Sequence, residues 1–492
     1  MSRVANVVVM GIDETVQKFF GPISDWIGGK VFYAFDINGA PVPLIVLWLI
    51  IAAIFFTFWL GFPQFNLKHS INLVRGRYSK PEDAGEVSHF QALATAVSGT
   101  VGLGNIAGVA VAISLGGPGA TFWMIVAGFF GMAAKMAECT LGVMYRQKHA
   151  DGSVSGGPMY YLRDGVRQVT GNKALGQFLA AFFAVCCIGG AIGAGNMFQA
   201  NQATAQIVAV TGGDDSFFAD LNWLIGLVFA IAVGVVIIGG IKSIARVTEK
   251  LVPLMAGIYL VACLIVILGS VSEVPGAIGD IISGAFSAEG IVGGFVGVLI
   301  VGFQRAAFSN EAGIGSASIA HSAVKTEEPA TEGFVALLEP LIDTIIICTM
   351  TALTIVITGA WDDPDAGDLD GVQLTSRAFE SVIPWFPNVL AVAVVLFAFS
   401  TMISWSYYGM KATGYLFGDS ATAEIVFKVI FCIFTVIGAS LSLEPVILFS
   451  DAAIFMMSIP NVIGLYFLAK TLRKQVKGHR ARLASGEFAR VK

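Results

Sequence analysis

Two stretches of this chain carry polar and glycine-rich chemistry inside otherwise apolar runs. They are Ser98-Gly99-Thr100-Val101-Gly102-Leu103-Gly104-Asn105 and Ser309-Asn310-Glu311-Ala312-Gly313-Ile314-Gly315-Ser316. Glycine costs a helix about 1 kcal/mol relative to alanine, so several close together favour local unwinding. Backbone groups freed at membrane depth must line a cavity or meet polar partners. N–H groups at the start of a half-helix suit a carboxylate. Carbonyls at the end of one suit an ammonium or a hard cation, whose oxygen shell hydroxyls can complete. Together the segments predict a site for a zwitterionic solute and a small cation. Glycine also serves close helix packing without unwinding, and the placement of the two segments along the chain decides between these readings.

The elements that must hold such a site are long apolar runs. The chain has 492 residues, 56% hydrophobic and 13% charged, against about 25% charged in a soluble domain; its mean hydropathy is +0.78. A spanning helix needs roughly 20 apolar residues, and eleven candidates lie near 43–62, 90–115, 119–144, 177–209, 223–240, 250–270, 290–323, 334–359, 387–417, 424–443 and 446–470. The runs are unbroken rather than alternating, which predicts helices and not a barrel. The second to sixth runs make one set of five and the seventh to eleventh another. The two interrupted runs lead the two sets, and because five is odd the second set enters the membrane from the opposite side. An inverted repeat with discontinuous helices at matching positions places a transport site near the midplane. The sequence thus divides into 1–89 (an interfacial segment, an extra spanning helix and a loop), 90–270, 290–470 and a basic tail at 471–492.

Loop charges set the orientation. Lys68, Arg75, Arg77 and Lys80, then Arg146, Lys148, Arg163, Arg167 and Lys173, then Lys242, Arg246 and Lys250 fill one set of loops, and the tail from Lys470 is basic. The alternate loops hold Arg377 among acids such as Asp214, Asp215, Asp362, Asp363 and Asp365. This predicts an outside N-terminus and a cytoplasmic C-terminus. The net charge of −5 and the lack of basic runs give no nucleic-acid surface, and no removable signal peptide is expected at the N-terminus. The six cysteines sit in apolar runs without metal spacing. No catalytic triad, metal cluster or phosphate loop is present, and Gly102-Leu103-Gly104-Asn105-Ile106-Ala107-Gly108 follows no strand, so neither an enzyme nor an enzymatic cofactor is expected.

The segments GTVGLGNIAGVA (99–110), GGPGATFWM (116–124), SGGPMYYL (155–162), GNMFQANQ (195–202), FSNEAGIGSA (308–317) and FAFSTMISWSYYG (397–409) resemble, in this order, the alanine or glycine:cation symporters, also called the sodium:alanine symporter family. The resemblance runs from about Val87 to Gly464. It implies an amino acid–polyamine–organocation type of fold, similar to the leucine transporter, in a bacterial inner membrane. It also implies import of a small neutral amino acid such as alanine or glycine, with sodium as coupling ion. By the same likeness Thr100, Gly102, Leu103, Gly104 and Asn105 bind substrate, with the Leu103 and Gly104 N–H groups on the carboxylate. The Thr100 carbonyl and Phe308, Ser309 and Asn310 face the ammonium. Thr401 and Trp405, one turn apart, wall the pocket, and Gln199 adds a polar side. Sodium would take carbonyls of Ser98, Val101 and Phe397 and hydroxyls of Ser400 and Thr401. Each residue has a plainer reading. Serine and threonine often bond the carbonyl four residues back, tryptophan can sit at the membrane interface, and glutamine can join helices. The family commonly shows VGTGN where this chain has Val101-Gly102-Leu103-Gly104-Asn105, and an acid where it has Met410-Lys411, so the choice among alanine, glycine and serine stays open.

Ionisable residues inside spans are costly and often functional. Lys135 and Glu138 are expected to form a structural pair, Glu339 and Asp343 share the eighth span, Asp451 lies in the last, and Arg305 and Glu311 flank the second break as candidate gating groups. Other functions the same sequence allows are a proton-coupled carrier, a channel, and a transporter-like amino-acid sensor.

Overall fold

The computed structural model describes residues 2–37, 39–78, 83–150, 152–287, 294–363, 369, 371–418 and 420–487, with side chains from Gln17 onward. Lys80, Asp365, the first residues of the run 290–323 and the last two basic groups of the tail lie outside the described residues. The chain is helical throughout, apart from short hairpins such as β1 (Ala34–Ile37) with β2 (Ala40–Pro43). In chain order the helices that matter below are α1 (Ser2–Val31), α2 (Leu44–Trp59), α3 (Leu67–Val74), α4 (His89–Thr100), α5 (Ala107–Gly116), α6 (Gly119–Met144), α7 (Lys173–Ile192) and α8 (Phe198–Val210). They continue with α9 (Asn222–Ile237), α10 (Gly240–Gly269), α11 (Gly294–Asn310), α12 (Ala317–His321), α13 (Pro329–Ala336), α14 (Thr349–Ile357), α15 (Gly371–Glu380), α16 (Phe386–Phe417), α17 (Ala421–Ser440) and α18 (Leu443–Ser485).

Among the described residues, seven helical spans are long and apolar enough to cross a bilayer, or up to nine when the two sharply bent helix pairs count as one span each. The remaining candidates fall short in length: α9 has 16 residues and α11 has 17. The outward faces of the bundle are apolar, with Val228, Ile231, Val235, Leu254, Val261, Leu268, Ile425, Val429 and Ile433 all exposed. That is the surface lipid requires, since helices satisfy their backbone internally. The N-terminal segment is a long helix, α1, packed on α18 through the Phe20 and Phe449 rings and the Ser24 Oγ bond to the Pro445 carbonyl.

The interior is built on small residues. Gly333 on α13 lies so close to α6 that a Cβ there would stand 2.0 Å from Thr140 Oγ1 and 2.8 Å from the Met136 carbonyl. Such contacts replace the hydrophobic effect as the cause of helix association in lipid. Gly333→Val is therefore expected to separate α6 from α13 and to lower the thermal midpoint of detergent-purified protein. An unchanged midpoint would show that the helices can part without loss.

Both interrupted runs are broken. α4 starts on a capping box, in which Ser88 Oγ accepts from Gln91 N–H and the Gln91 side chain accepts from Ser88 N–H. It ends at Thr100, and after a 3₁₀ turn at Leu103–Asn105 the chain resumes as α5, bent by 57°. α11 ends at Asn310, residues 311–316 are non-helical, and α12 resumes at Ala317. The breaks open two residues or more after the polar runs begin. Ser98, Gly99 and Thr100 stay helical because Val101 N–H still reaches the Val97 carbonyl at 2.7 Å and Thr100 Oγ1 bonds back to Ala96 and Val97. Ser309 and Asn310 stay helical because Glu311 N–H still bonds the Ala307 carbonyl. Glycines with φ of +87° (Gly313) and +95° (Gly315), and Glu311 at +57°, then turn the chain out of the helix.

Candidate functional site

The two breaks meet in the middle of the molecule. A Cβ on Gly104 would lie 3.4 Å from Ser309 Cα and 3.5 Å from the Phe308 ring. Trp405 on α16 joins them from the side, its Nε1–H lying 3.2 Å from the Gly99 carbonyl and 3.1 Å from Glu311 Oε1. Trp405 is fully buried, not interfacial, and packs over Gly195 of the π-helical turn Gly193–Met197.

The substrate-side candidates are all buried. Gln199 reaches across from α8, accepting the Leu103 N–H at 3.0 Å and donating to the Ala194 carbonyl at 2.9 Å. Gly102 N–H donates to the Thr100 carbonyl and to Asn105 Oδ1. Asn105 in turn donates to the carboxylate of Asp343 at 2.7 Å, and its carbonyl accepts from Thr351. Ser309 Oγ donates to the other Asp343 oxygen at 2.9 Å. Asn310 donates to Thr344 Oγ1 and accepts the Ala312 N–H, capping the broken end. The Phe308 ring stands edge-on to Phe198, 5.3 Å between centroids, and carries the Arg305 guanidinium 5.4 Å above it.

The ion-side candidates form a second knot between α4 and α16. Thr401 Oγ1 donates to the Ser98 carbonyl at 2.9 Å, and Ser98 Oγ donates to the Ser400 carbonyl at 2.7 Å. Ser400 Oγ donates to the Phe397 carbonyl at 2.9 Å and approaches Met255 Sδ. Ser98, Val101, Phe397, Ser400 and Thr401 are at most 1% exposed. The knot thus concentrates hard oxygen donors in a dry place, the donor chemistry an alkali cation accepts.

In the sequence Asp343 stands out only as an intramembrane charge beside Glu339, yet its two oxygens tie Asn105 of one break to Ser309 of the other. The signal was present: a carboxylate inside a span needs such partners. One pairing differs from the spacing-based expectation. Lys135 makes its ion pair with Glu339 at 3.3 Å, while Glu138 accepts from Asn461, both partners coming from neighbouring helices rather than from α6 itself. Arg305 pairs with Asp451 of α18, and Glu311 receives Ser316 and Trp405.

A family profile described as the sodium:alanine symporter family matches residues 33–492. The chain belongs to this family. The sodium/alanine symporter AgcS of Methanococcus maripaludis is 39% identical over 437 residues, covering 88% of this chain and 94% of that one. The amino-acid carrier protein AlsT of Bacillus subtilis is 34% identical over 433 residues, covering 88% of each. Among solved structures, MhsT in complex with L-phenylalanine aligns with 80% of this chain and 99% of its own, at a TM-score of 0.52 and 17% identity, a likeness of fold. This member of the sodium:alanine symporter family is therefore an integral membrane transporter of the leucine-transporter-like fold, not an enzyme.

Proposed function

We propose that this chain imports a small neutral amino acid, alanine or glycine, together with sodium, by alternating access across a bacterial inner membrane. The observation that carries the reading is the meeting of two broken helices over one buried patch of backbone dipoles, bridged by Trp405. The substrate carboxylate takes the Leu103 and Gly104 N–H groups, displacing the Gln199 amide oxygen from the Leu103 N–H. The ammonium lies against the Thr100 carbonyl and the Phe308–Asn310 end of α11. Trp405 and Thr401 close the side-chain pocket, and the bulk of Trp405 restricts it to small side chains. Sodium sits among Ser98, Val101, Phe397, Ser400 and Thr401, bridging α4 to α16, so that its binding and the pocket's assembly are one event. A ligand shifts the equilibrium only by its different affinities for the two states, and an ion held between two moving elements has that property.

The finer architecture belongs to the same proposal. Eleven spans comprise one extra helix and two inverted sets of five, 90–270 and 290–470, each led by a broken helix, after an N-terminal unit at 1–89 and before a basic tail at 471–492. The N-terminus lies outside and the C-terminus in the cytoplasm. The buried pair of Arg305 with Asp451 joins α11 to α18 beside a cavity of about 580 Å³ that Gln304, Ser114 and Glu444 also line. In this orientation it acts as an outer gate. Arg305→Ala is expected to lower uptake and to leave the outer side open to a thiol reagent at a cysteine placed at Ser114. Wild-type uptake and wild-type labelling would remove the gate.

The test of the main reading is uptake of labelled alanine and glycine into liposomes holding the purified protein. Uptake is expected only with an inward sodium gradient. Equal uptake in potassium would remove the coupling, and flux without saturation would mark a channel. Thr401→Ala is expected to raise the sodium concentration needed for half-maximal uptake while the protein stays folded. Unchanged sodium activation would place the ion elsewhere.

A further inference from the structure

Five ionisable side chains lie in an unbroken buried line on the half of the molecule where α4 begins and α12 ends. His89, at the start of α4, contacts one oxygen of Glu332 on α13. The other Glu332 oxygen is 2.5 Å from His321 Nδ1, at the end of α12. His321 Nε2 is 2.7 Å from Glu339 Oε1, in the turn Leu338–Pro340. Glu339 Oε2 is 3.3 Å from Lys135 Nζ on α6. None of the five is more than 3% exposed.

His321 touches a carboxylate with each ring nitrogen. A neutral imidazole has one N–H and one lone pair, and an ionised carboxylate only accepts. With His321 neutral and both acids ionised, one contact would set a lone pair against a lone pair. Both contacts are satisfied only if the trio holds one more proton, on the imidazole or on a carboxyl. His89 needs no more than the N–H of its neutral ring.

We propose that His321, Glu332 and Glu339 form a proton-binding site, and that the bound proton latches the halves of both broken helices nearest the cytoplasm to one scaffold, α13 and its continuation. α4 is tied to Glu332 through His89, and α12 to both acids through His321. Loss of the proton turns one His321 contact repulsive and frees α12 from α13 or from Leu338–Pro340, so deprotonation favours opening on that side. By reciprocity, opening favours release of the proton. The proton is the fitting ligand rather than a metal ion. Cys139, His321 and Glu339 do offer three donor atoms within 4.8 Å of one another, but the Lys135 ammonium beside Glu339 repels a divalent cation. Among the described residues, the other ionisable groups facing the trio are Glu138 and Cys139 of α6, Glu311, Tyr408 of α16 and, toward Glu332, Arg146. Glu138 accepts from Asn461, and Glu311 from Ser316 and Trp405. Glu311 thus has both oxygens accepting, while Glu138 Oε2 meets no hydrogen-bond donor among the described residues.

The consequence for flux rests on the alternating-access reading, while the proton site itself does not, and two measurements separate them. In protein in lipid nanodiscs at pH about 8, where an ordinary histidine of pKa about 6.5 is neutral, nitrogen NMR of labelled histidines or infrared spectroscopy is expected to show one imidazole protonated on both nitrogens or one protonated carboxyl. His321→Gln should abolish that signal. Absence of both signals in the wild-type protein, or persistence of the signal in the variant, overturns the site. In proteoliposomes with the cytoplasmic face inward, at fixed external pH and sodium, alanine uptake is expected to fall several-fold as the lumen goes from about pH 8.5 to about pH 6. Glu332→Gln, whose amide can donate to a neutral His321 without the extra proton, should flatten this profile. A flat wild-type profile, or a wild-type profile in Glu332→Gln, overturns the latch. Failure of all uptake would count against the transport reading, and the spectroscopic result would still decide the site.

Discussion

Gly102→Ala is expected to abolish sodium-driven uptake while leaving the protein folded in detergent. Gly102 has a φ of −129°, which any residue adopts, so space rather than backbone freedom requires glycine at this position. A Cβ there would stand 2.4 Å from Thr401 Oγ1 and 3.0 Å from Gln199 Oε1. Those two atoms belong to the two halves of the proposed site. Thr401 Oγ1 bonds the Ser98 carbonyl and Gln199 Oε1 holds the Leu103 N–H. One methyl group therefore pushes the ion knot and the substrate cradle apart together. Displacement of reacting or binding groups by about 1 Å can lower rates by about a hundredfold, and a loss on that scale is expected for Gly102→Ala. Alanine at Gly108, where a Cβ meets nothing within 4 Å, is the matched control and should transport normally. Near-normal uptake by Gly102→Ala would show that Thr401 and Gln199 do not act as one site.

The breaks were legible from sequence because local chemistry causes them. Glycine runs weaken a helix wherever they occur, and polar residues beside them supply the partners that unwound backbone needs. Their onset lies later than the polar runs imply because side chains such as Thr100, and main-chain bonds such as Val101 to Val97, carry the helix past the first polar residue. Propensity does not register such bonds. The pocket partners were reachable only through family resemblance, since Gln199, Thr401 and Trp405 lie about a hundred to three hundred residues from the backbone atoms they bond. The buried charges were visible one by one, and their pairing was not. Spacing of three or four on one helix suggested Lys135 with Glu138, but helix-to-helix packing brings Glu339 to Lys135 and Asp343 to Asn105. His89 and His321 gave no sequence signal. A single histidine in an apolar run is unremarkable until the fold sets it between carboxylates.

Lys135→Met is expected to cause a large loss of stability. Lys135 is fully buried, and its ammonium faces Glu339 at 3.3 Å with Glu138 and Glu311 within electrostatic reach. Methionine keeps the length and the apolar stem but removes the positive charge that faces these carboxylates. Removing one partner of a buried ion pair costs about 3–5 kcal/mol, because the remaining charge is left uncompensated. The double variant Lys135→Met with Glu339→Gln removes that charge as well and should recover part of the loss, since residues sharing one interaction are not additive. Thermal and denaturant midpoints of the four proteins of this cycle, in one detergent, measure the coupling. A single-variant loss below about 1 kcal/mol, well short of the cost of an orphaned buried charge, or a double variant no better than the sum of the singles, would mean that another group neutralises Glu339. The His321 proton is the group placed to do so, and a Lys135→Met protein that stays stable only at low pH would identify it.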